Sequence, residues 1–171
     1  MRGKLPPRAA GGRADRAPPE PPSAKVLAIR WLARRDYSRM ELAQRLRQRG
    51  LEPEIIERAL DEIEAAGYLS DARYAQAIVA HRGGRFGQRA IVHALKERGV
   101  AQADVDHAIA PLRERDELED AYALWQRRFG AAPADDREKA RHVRFLQARG
   151  YGLSVALAVL RRAGRGPADE G

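Results

Sequence analysis

The sequence predicts an all-α protein: three tandem three-helix modules stacked into an elongated, curved array, preceded by a disordered N-terminal tail. Three observations predict it. No stretch alternates apolar and polar residues with a period of two, so strands are not expected. Apolar residues recur instead three and four apart, in segments opened by capping residues and closed by glycine. The same design then returns about every 50 residues, the spacing of helical repeats, with stops at Gly50, Gly99 and Gly150. Units of that kind touch mainly their neighbours, which gives a bent rod rather than one central core.

Residues 1–22 are a different material. They hold six of the ten prolines, five Arg/Lys against two acids, and almost no bulky apolar side chain. Such a segment cannot bury enough surface to offset its ordering entropy, so a disordered tail is expected. Its charge allows two readings, a solvated tail or an arm that grips a polyanion. It has no apolar segment of the kind a secretory signal needs.

Module one spans residues 23–69. Its first helix, over 23–35, has an apolar side of Val26, Leu27, Ile29 and Leu32, with Trp31 either core or contact surface. The second helix opens with two devices. Ser38 and Glu41 form a capping box, and Tyr37 with Leu42 form a hydrophobic staple. Leu42 and Leu46 keep one face apolar, and Gly50 stops the helix as a left-handed residue after Arg47, Gln48 and Arg49. Pro53 sits where a first helical position needs no amide. Ile55, Ile56, Ala59, Leu60 and Ile63 then form the buried stripe of the third helix, which Gly67 ends.

Module two spans residues 70–115. Ser70 or Asp71 caps its first helix, Leu69 and Tyr74 staple it, and Ala75, Ile78 and Val79 face inward. Residues 81–87 read as a basic, glycine-rich loop. Ile91 and Leu95 precede Gly99 by the offsets at which Leu42 and Leu46 precede Gly50, and Val105, Ala108, Ile109 and Leu112 supply the third stripe. Module three, residues 116–165, opens with acids in its first turns and Arg127 and Arg128 in its last, which suits the helix dipole. Tyr122, Trp125 and Phe129 are read as core. Asp135 and Glu138 form a second capping pattern, His142 stands where the other copies have leucine or isoleucine, and Leu146 precedes Gly150. Val155, Val159 and Leu160 close the core, and the Gly/Pro-rich end, residues 166–171, should fray.

The chain has no cysteine, which excludes disulfides and thiolate chemistry, and no apolar run of membrane-spanning length. A cytoplasmic protein away from membranes is expected. Net charge is +8, from 32 Arg/Lys against 24 acids. Its placement matters more than its size. First helices end in Arg34 and Arg35, Arg82, and Arg127 and Arg128; second helices carry Arg45, Arg47, Arg49, Arg89, Lys96, Arg98, Arg141, Arg144 and Arg149. Module one's third helix is acidic. If equivalent helices stack on equivalent sides, one long side is basic and suits phosphates or an acidic protein groove. Motifs for catalysis are missing. Gly83, Gly84 and Gly87 lack the lysine and strand of a phosphate loop. His81, His93, His107 and His142 have no ligand spacing. No catalytic residue, metal or cofactor is therefore assigned, and the protein is not expected to be an enzyme.

These residues resemble the RecX family of bacterial RecA regulators. Arg35-x-Tyr37-Ser38-x-x-Glu41-Leu42-x-x-x-Leu46-x-x-x-Gly50 is similar to the family's first-module pattern. Gly67-Tyr68-Leu69-Ser70-Asp71-x-x-Tyr74-Ala75 is similar to its Gly-Leu-Leu-Asp-Asp-x-x-Phe-Ala pattern, with Ser70 for the first aspartate. Gly87-x-x-x-Ile91-x-x-x-Leu95-x-x-x-Gly99-Val100 fits the second module. Arg144-Phe145-Leu146-x-x-Arg149-Gly150-Tyr151 fits the third, where phenylalanine is usual for Tyr151. The resemblance covers residues 23–162. It implies a protein that lies along the RecA filament on single-stranded DNA and lowers its ATPase, strand-exchange and coprotease activities, and a monomer is expected. Recombination, DNA repair and the SOS response would be modulated through those. The alternative is direct, sequence-tolerant binding of nucleic acid by helix-turn-helix-like units. Candidate partner contacts are Arg34, Arg35, Arg82, Arg85, Arg89, Arg98, Arg127, Arg128 and Arg144. Ser38, Glu41, Leu42, Leu46, Gly50, Leu69, Asp71, Tyr74, Gly99 and Gly150 are read as structural: caps, core and stops.

Overall fold

A computed structural model describes residues 22–165, and within them lie nine α-helices and no strand. In chain order these are α1 (Ala24–Leu32), α2 (Arg39–Arg47), α3 (Pro53–Ala65), α4 (Asp71–Arg82), α5 (Gln88–Lys96), α6 (Gln102–Arg113), α7 (Glu117–Arg128), α8 (Asp136–Ala148) and α9 (Leu153–Arg165). The expected tail and fraying C-terminus lie, Pro22 apart, outside the described residues.

The local starts and stops follow the side-chain chemistry. Ser38 Oγ accepts from the Glu41 amide at 3.1 Å, and Glu41 Oε2 accepts from the Ser38 amide at 3.2 Å, so both halves of the capping box are made. Ser23, Ser70, Asp116 and Asp135 cap α1, α4, α7 and α8 in the same manner. Of the two candidates for the α4 cap, Ser70 takes the role, and Asp71 becomes the first helical residue.

Extensive helix packing stays inside each module. α3 packs on α1 and α2, α6 on α4 and α5, and α9 on α7 and α8. The apolar residues form three separate cores to match. Leu42, Leu46, Ile56, Leu60 and Ile63 anchor the first, Tyr74, Ile91, Leu95 and Val105 the second, and Trp125, Leu146, Ala156 and Val159 the third. Full burial of each large aliphatic side chain contributes about 1.5–3 kcal/mol. Trp125 is buried, with Tyr122 and Phe129 packed beside it, so the core reading of that aromatic trio holds.

Four local expectations are corrected. Val26 and Ile55 are 41% and 47% exposed. Each is one or two steps of about 100° around its helix from the residues that face the core, which takes it off the stripe. α1 ends at Leu32 and residues 33–35 turn. His81 and Arg82 belong to the last turn of α4, not to a loop.

Candidate polyanion interface

Modules meet through helix ends. At the first junction the Asp71 carboxylate accepts from the Arg39 amide at 2.7 Å, so the start of α4 holds the start of α2. Burial pushes the Asp71 carboxyl up, and Glu64 and Asp104 add to that against the Arg39 amide. Arg98 Nη1 pairs with Glu41 Oε1 at 2.5 Å and donates to Tyr74 Oη at 3.1 Å. Glu41 thus closes its own helix cap and ties module two to module one. At the second junction the Gly87 amide donates to the Arg149 carbonyl at 2.8 Å, Arg127 donates to the Gly84 carbonyl at 3.2 Å, and Arg115 pairs with Asp120 at 2.5 Å.

Around these junctions arginines and rings alternate. In module one Arg35 lies 3.5 Å from the Tyr37 ring centre. Arg45 donates to Tyr37 Oη and lies 5.0 Å from Trp31, with Arg49 at 6.0 Å from the same ring. Across the second junction Arg82 and Arg149 flank Phe86 at 5.6 and 5.1 Å, and Arg149 also reaches Phe145 at 5.3 Å. Phe145 meets Phe129 edge-on, and Arg128 and Arg141 lie over Phe129. Each such contact contributes about 0.5–1 kcal/mol at a surface. Guanidinium groups carry several N–H donors in a planar fork, which suits phosphate or carboxylate oxygens.

The nine candidate arginines fall into three groups. Arg35, Arg82 and Arg128 belong to the alternating arginine–ring runs. Arg98 and Arg127 sit at the junctions, and the charge of Arg98 is already answered by Glu41. Arg34, Arg85, Arg89 and Arg144 are exposed, and the Arg85 carbonyl receives Arg149 Nη1 at 3.5 Å. Arg89 and His93 line a shallow groove with Gln147 and Gly152 across the second junction. The structural residues sit in caps, cores and stops. The sequence reading did not find that Glu41, Asp71, Gly99 and Gly150 also join modules. The available signal was an arginine directly before each repeat glycine: Arg49, Arg98 and Arg149.

Acid is concentrated elsewhere. Arg39 binds Glu57, Asp61 and Glu64 of α3 at 2.8, 2.6 and 2.6 Å, so the acidic face of module one gathers on one cation. Among the described residues no group of three His, Cys, Asp or Glu is placed to hold a metal ion, and no helix is long and apolar enough to cross a membrane.

Fold and surface together define the class: a helical array of three tandem three-helix modules, joined end to end and carrying arginines stacked on rings. Sequence profiles described as the first, second and third three-helix domains of RecX match residues 24–62, 70–109 and 115–160. The chain belongs to the RecX family. It is 44% identical over 141 residues to the regulatory protein RecX of Leptothrix cholodnii, covering 82% of this chain and 89% of that one. It is 42% identical over 153 residues to the one of Pseudomonas savastanoi, covering 87% and 96%. The crystal structure of RecX from Lactobacillus salivarius shares the fold, with a TM-score of 0.66 and 14% identity over 83% of this chain and 95% of that one. A second crystal structure, of a regulatory protein RecX, gives 0.68 and 20% over 80% of this chain and 70% of that one.

Proposed function

We propose that this protein is a monomeric cytoplasmic regulator that binds the RecA filament on single-stranded DNA and lowers its activities. Family membership supports the regulatory part. The observation that carries the mode of action is the row of modules with separate cores and arginine-bearing junctions. A row of similar units follows a helical polymer across several subunits, and modest contacts per module add through effective concentration. Arg34, Arg82, Arg85, Arg89, Arg128 and Arg144 are the exposed or ring-stacked cations offered to it, and no catalytic residue is needed.

The test is the DNA-dependent ATPase of RecA, with single-stranded DNA in excess and this protein far below RecA. A fall at substoichiometric doses is expected, because each molecule acts on a whole filament. Reversing Arg85 and Arg89 to glutamate should abolish that fall while leaving helicity intact, and unchanged inhibition would remove these two residues from the interface. The alternation Arg82, Phe86, Arg149, Phe145 favours a second reading, direct binding of single-stranded nucleic acid by stacking and phosphate contact. Under that reading inhibition appears only when the DNA is saturated, and affinity without RecA falls steeply with salt.

A further inference from the structure

Both junctions use one device. The Arg98-Gly99 step after α5 lies on the start of α2. Met40 atoms stand 3.2–3.6 Å from where a Cβ on Gly99 would be, and Arg98 pairs with Glu41. The Arg149-Gly150 step after α8 lies on the start of α5. A Cβ on Gly150 would fall 2.5 Å from the Ala90 Cβ, and the Arg149 carbonyl receives the amide of the α5 cap residue Gly87. In both, a glycine without a side chain lets the step close on the helix start, and the arginine before it reaches an acceptor there: the Glu41 carboxylate for Arg98 and the Arg85 carbonyl for Arg149.

Module one carries the same step after α2. Gly50 has φ 78°, against 74° for Gly99 and 89° for Gly150. Yet among the described residues nothing lies within 4 Å of a Cβ built on Gly50. Beside it Trp31 is half-buried under Arg45 and Arg49. Tryptophan and arginine are the residue types that dominate binding hot spots.

We propose that Trp31, Arg45, Arg49 and Gly50 form a docking site for the start of a helix bearing an acidic residue in its first turn, supplied by a protein partner. Continuity with the two internal junctions defines the occupant as a helix start, and the Arg98–Glu41 pair of the first defines its acid. The negative end of α2 meets the positive start of a helix, and Arg49 takes the place that Arg98 holds against Glu41. The far end of this chain offers a helix start with Asp136 and Glu138 in its first turn, α8, but in a different register from α2. The α8 cap Asp135 stands one turn further from Gly150 than Ser38 does from Gly50, and Arg141 occupies the position of Glu41. A second copy would set that arginine against Arg49.

The inference rests on the reading that the partner is the RecA filament. Gly50→Asn and Arg49→Glu test it. Asparagine tolerates a left-handed conformation, and its side chain has room in the free protein but none under a docked helix. The melting midpoint by circular dichroism should fall by no more than about 4 °C, while affinity for RecA–single-stranded DNA falls about tenfold or more. The chain has no cysteine, so Gln48→Cys accepts one photo-crosslinker beside the site. A cross-linked RecA peptide that opens an acidic helix supports the inference. A peptide from a second copy, or from residues 1–21 of the same chain, overturns it. If wild type and variants bind the filament equally, the docking site falls and the filament reading stands. If wild type does not bind, the filament reading falls and the inference falls with it.

Discussion

Two buried side chains of module three carry a charge decision. Tyr151 is 3% exposed, and its hydroxyl has no partner among the described residues. It borders a cavity of about 120 Å³ with Phe86, Gly87, Arg115, Glu117 and Asp120 at the second junction. Burial pushes the phenol up to about 12, with Asp120 and Glu117 adding to it. The unfolded phenol ionises near 10, so the unfolded state loses its proton first as pH rises. Stability should therefore fall between about pH 10 and 12, and Tyr151→Phe should reduce that slope, Tyr74, whose phenol burial also pushes up, keeping part of it. Near neutral pH the variant should be equal to wild type or up to about 1 kcal/mol more stable in urea melts, because an unpaired hydroxyl leaves the interior. A loss of about 2 kcal/mol or more would contradict this. His142 has the opposite sign. It accepts from Trp125 Nε1 at 3.3 Å and stacks on Phe129 at 3.7 Å. Burial lowers its pKa, Arg141 lowers it further, and Glu138 opposes. The unfolded histidine thus takes up a proton first, and stability should drop as pH falls below about 6.5. His142→Leu, which installs the residue type of Leu42, should flatten that acid limb in melting curves taken at several pH values. It should also lower the plateau, since the Trp125 N–H loses its acceptor.

At the scale of elements, the three repeat glycines separate backbone conformation from packing. All three are left-handed, a conformation that costs a side-chain-bearing residue roughly 1 kcal/mol. Gly50→Ala should cost about that and no more, because none of the described residues comes within 4 Å of the new methyl. Gly99→Ala should cost more, since Met40 must give way. Gly150→Ala should cost most, because the new methyl would meet the backbone nitrogen of Ala90 at 2.6 Å. The order of the three midpoints in urea checks this, and three equal losses would mean that the junctions yield freely. The same contrast explains what could be read in advance. Ser38 with Glu41, the stripe from Ile56 to Ile63, and the glycine stops depend on residues a few positions apart, so spacing reveals them. What Gly99, Arg98 and Asp71 touch depends on how modules stack, which no local period encodes. Ile55 was misplaced for a similar reason, since composition marks it apolar but only the packing shows which face is covered. The candidate arginines were legible as a recurrent set. Their division into stacked, junction-bound and exposed members was not.

For the whole molecule, three cores and two slender junctions mean that stability is a sum of module terms and nearest-neighbour terms. Removing module three, residues 116–171, leaves both other cores complete. It uncovers Phe86, Gly87 and Ala90 at the start of α5 and takes away Arg149, which stacks on Phe86. Chain 1–115 should therefore fold cooperatively, with two thirds of the helices and a lower melting temperature. Binding should suffer far more than folding. If each module contacts the filament, loss of one removes an intramolecular step whose effective concentration is of millimolar order, and apparent affinity falls by about 10²-fold or more. Inhibition of the RecA ATPase should then need correspondingly higher doses, while the α-helical spectrum per residue stays close to that of the intact chain. Equal potency of the truncated and intact chains would place all binding in modules one and two. A truncated chain that fails to fold would mean that the second junction, and not the cores, holds module two together.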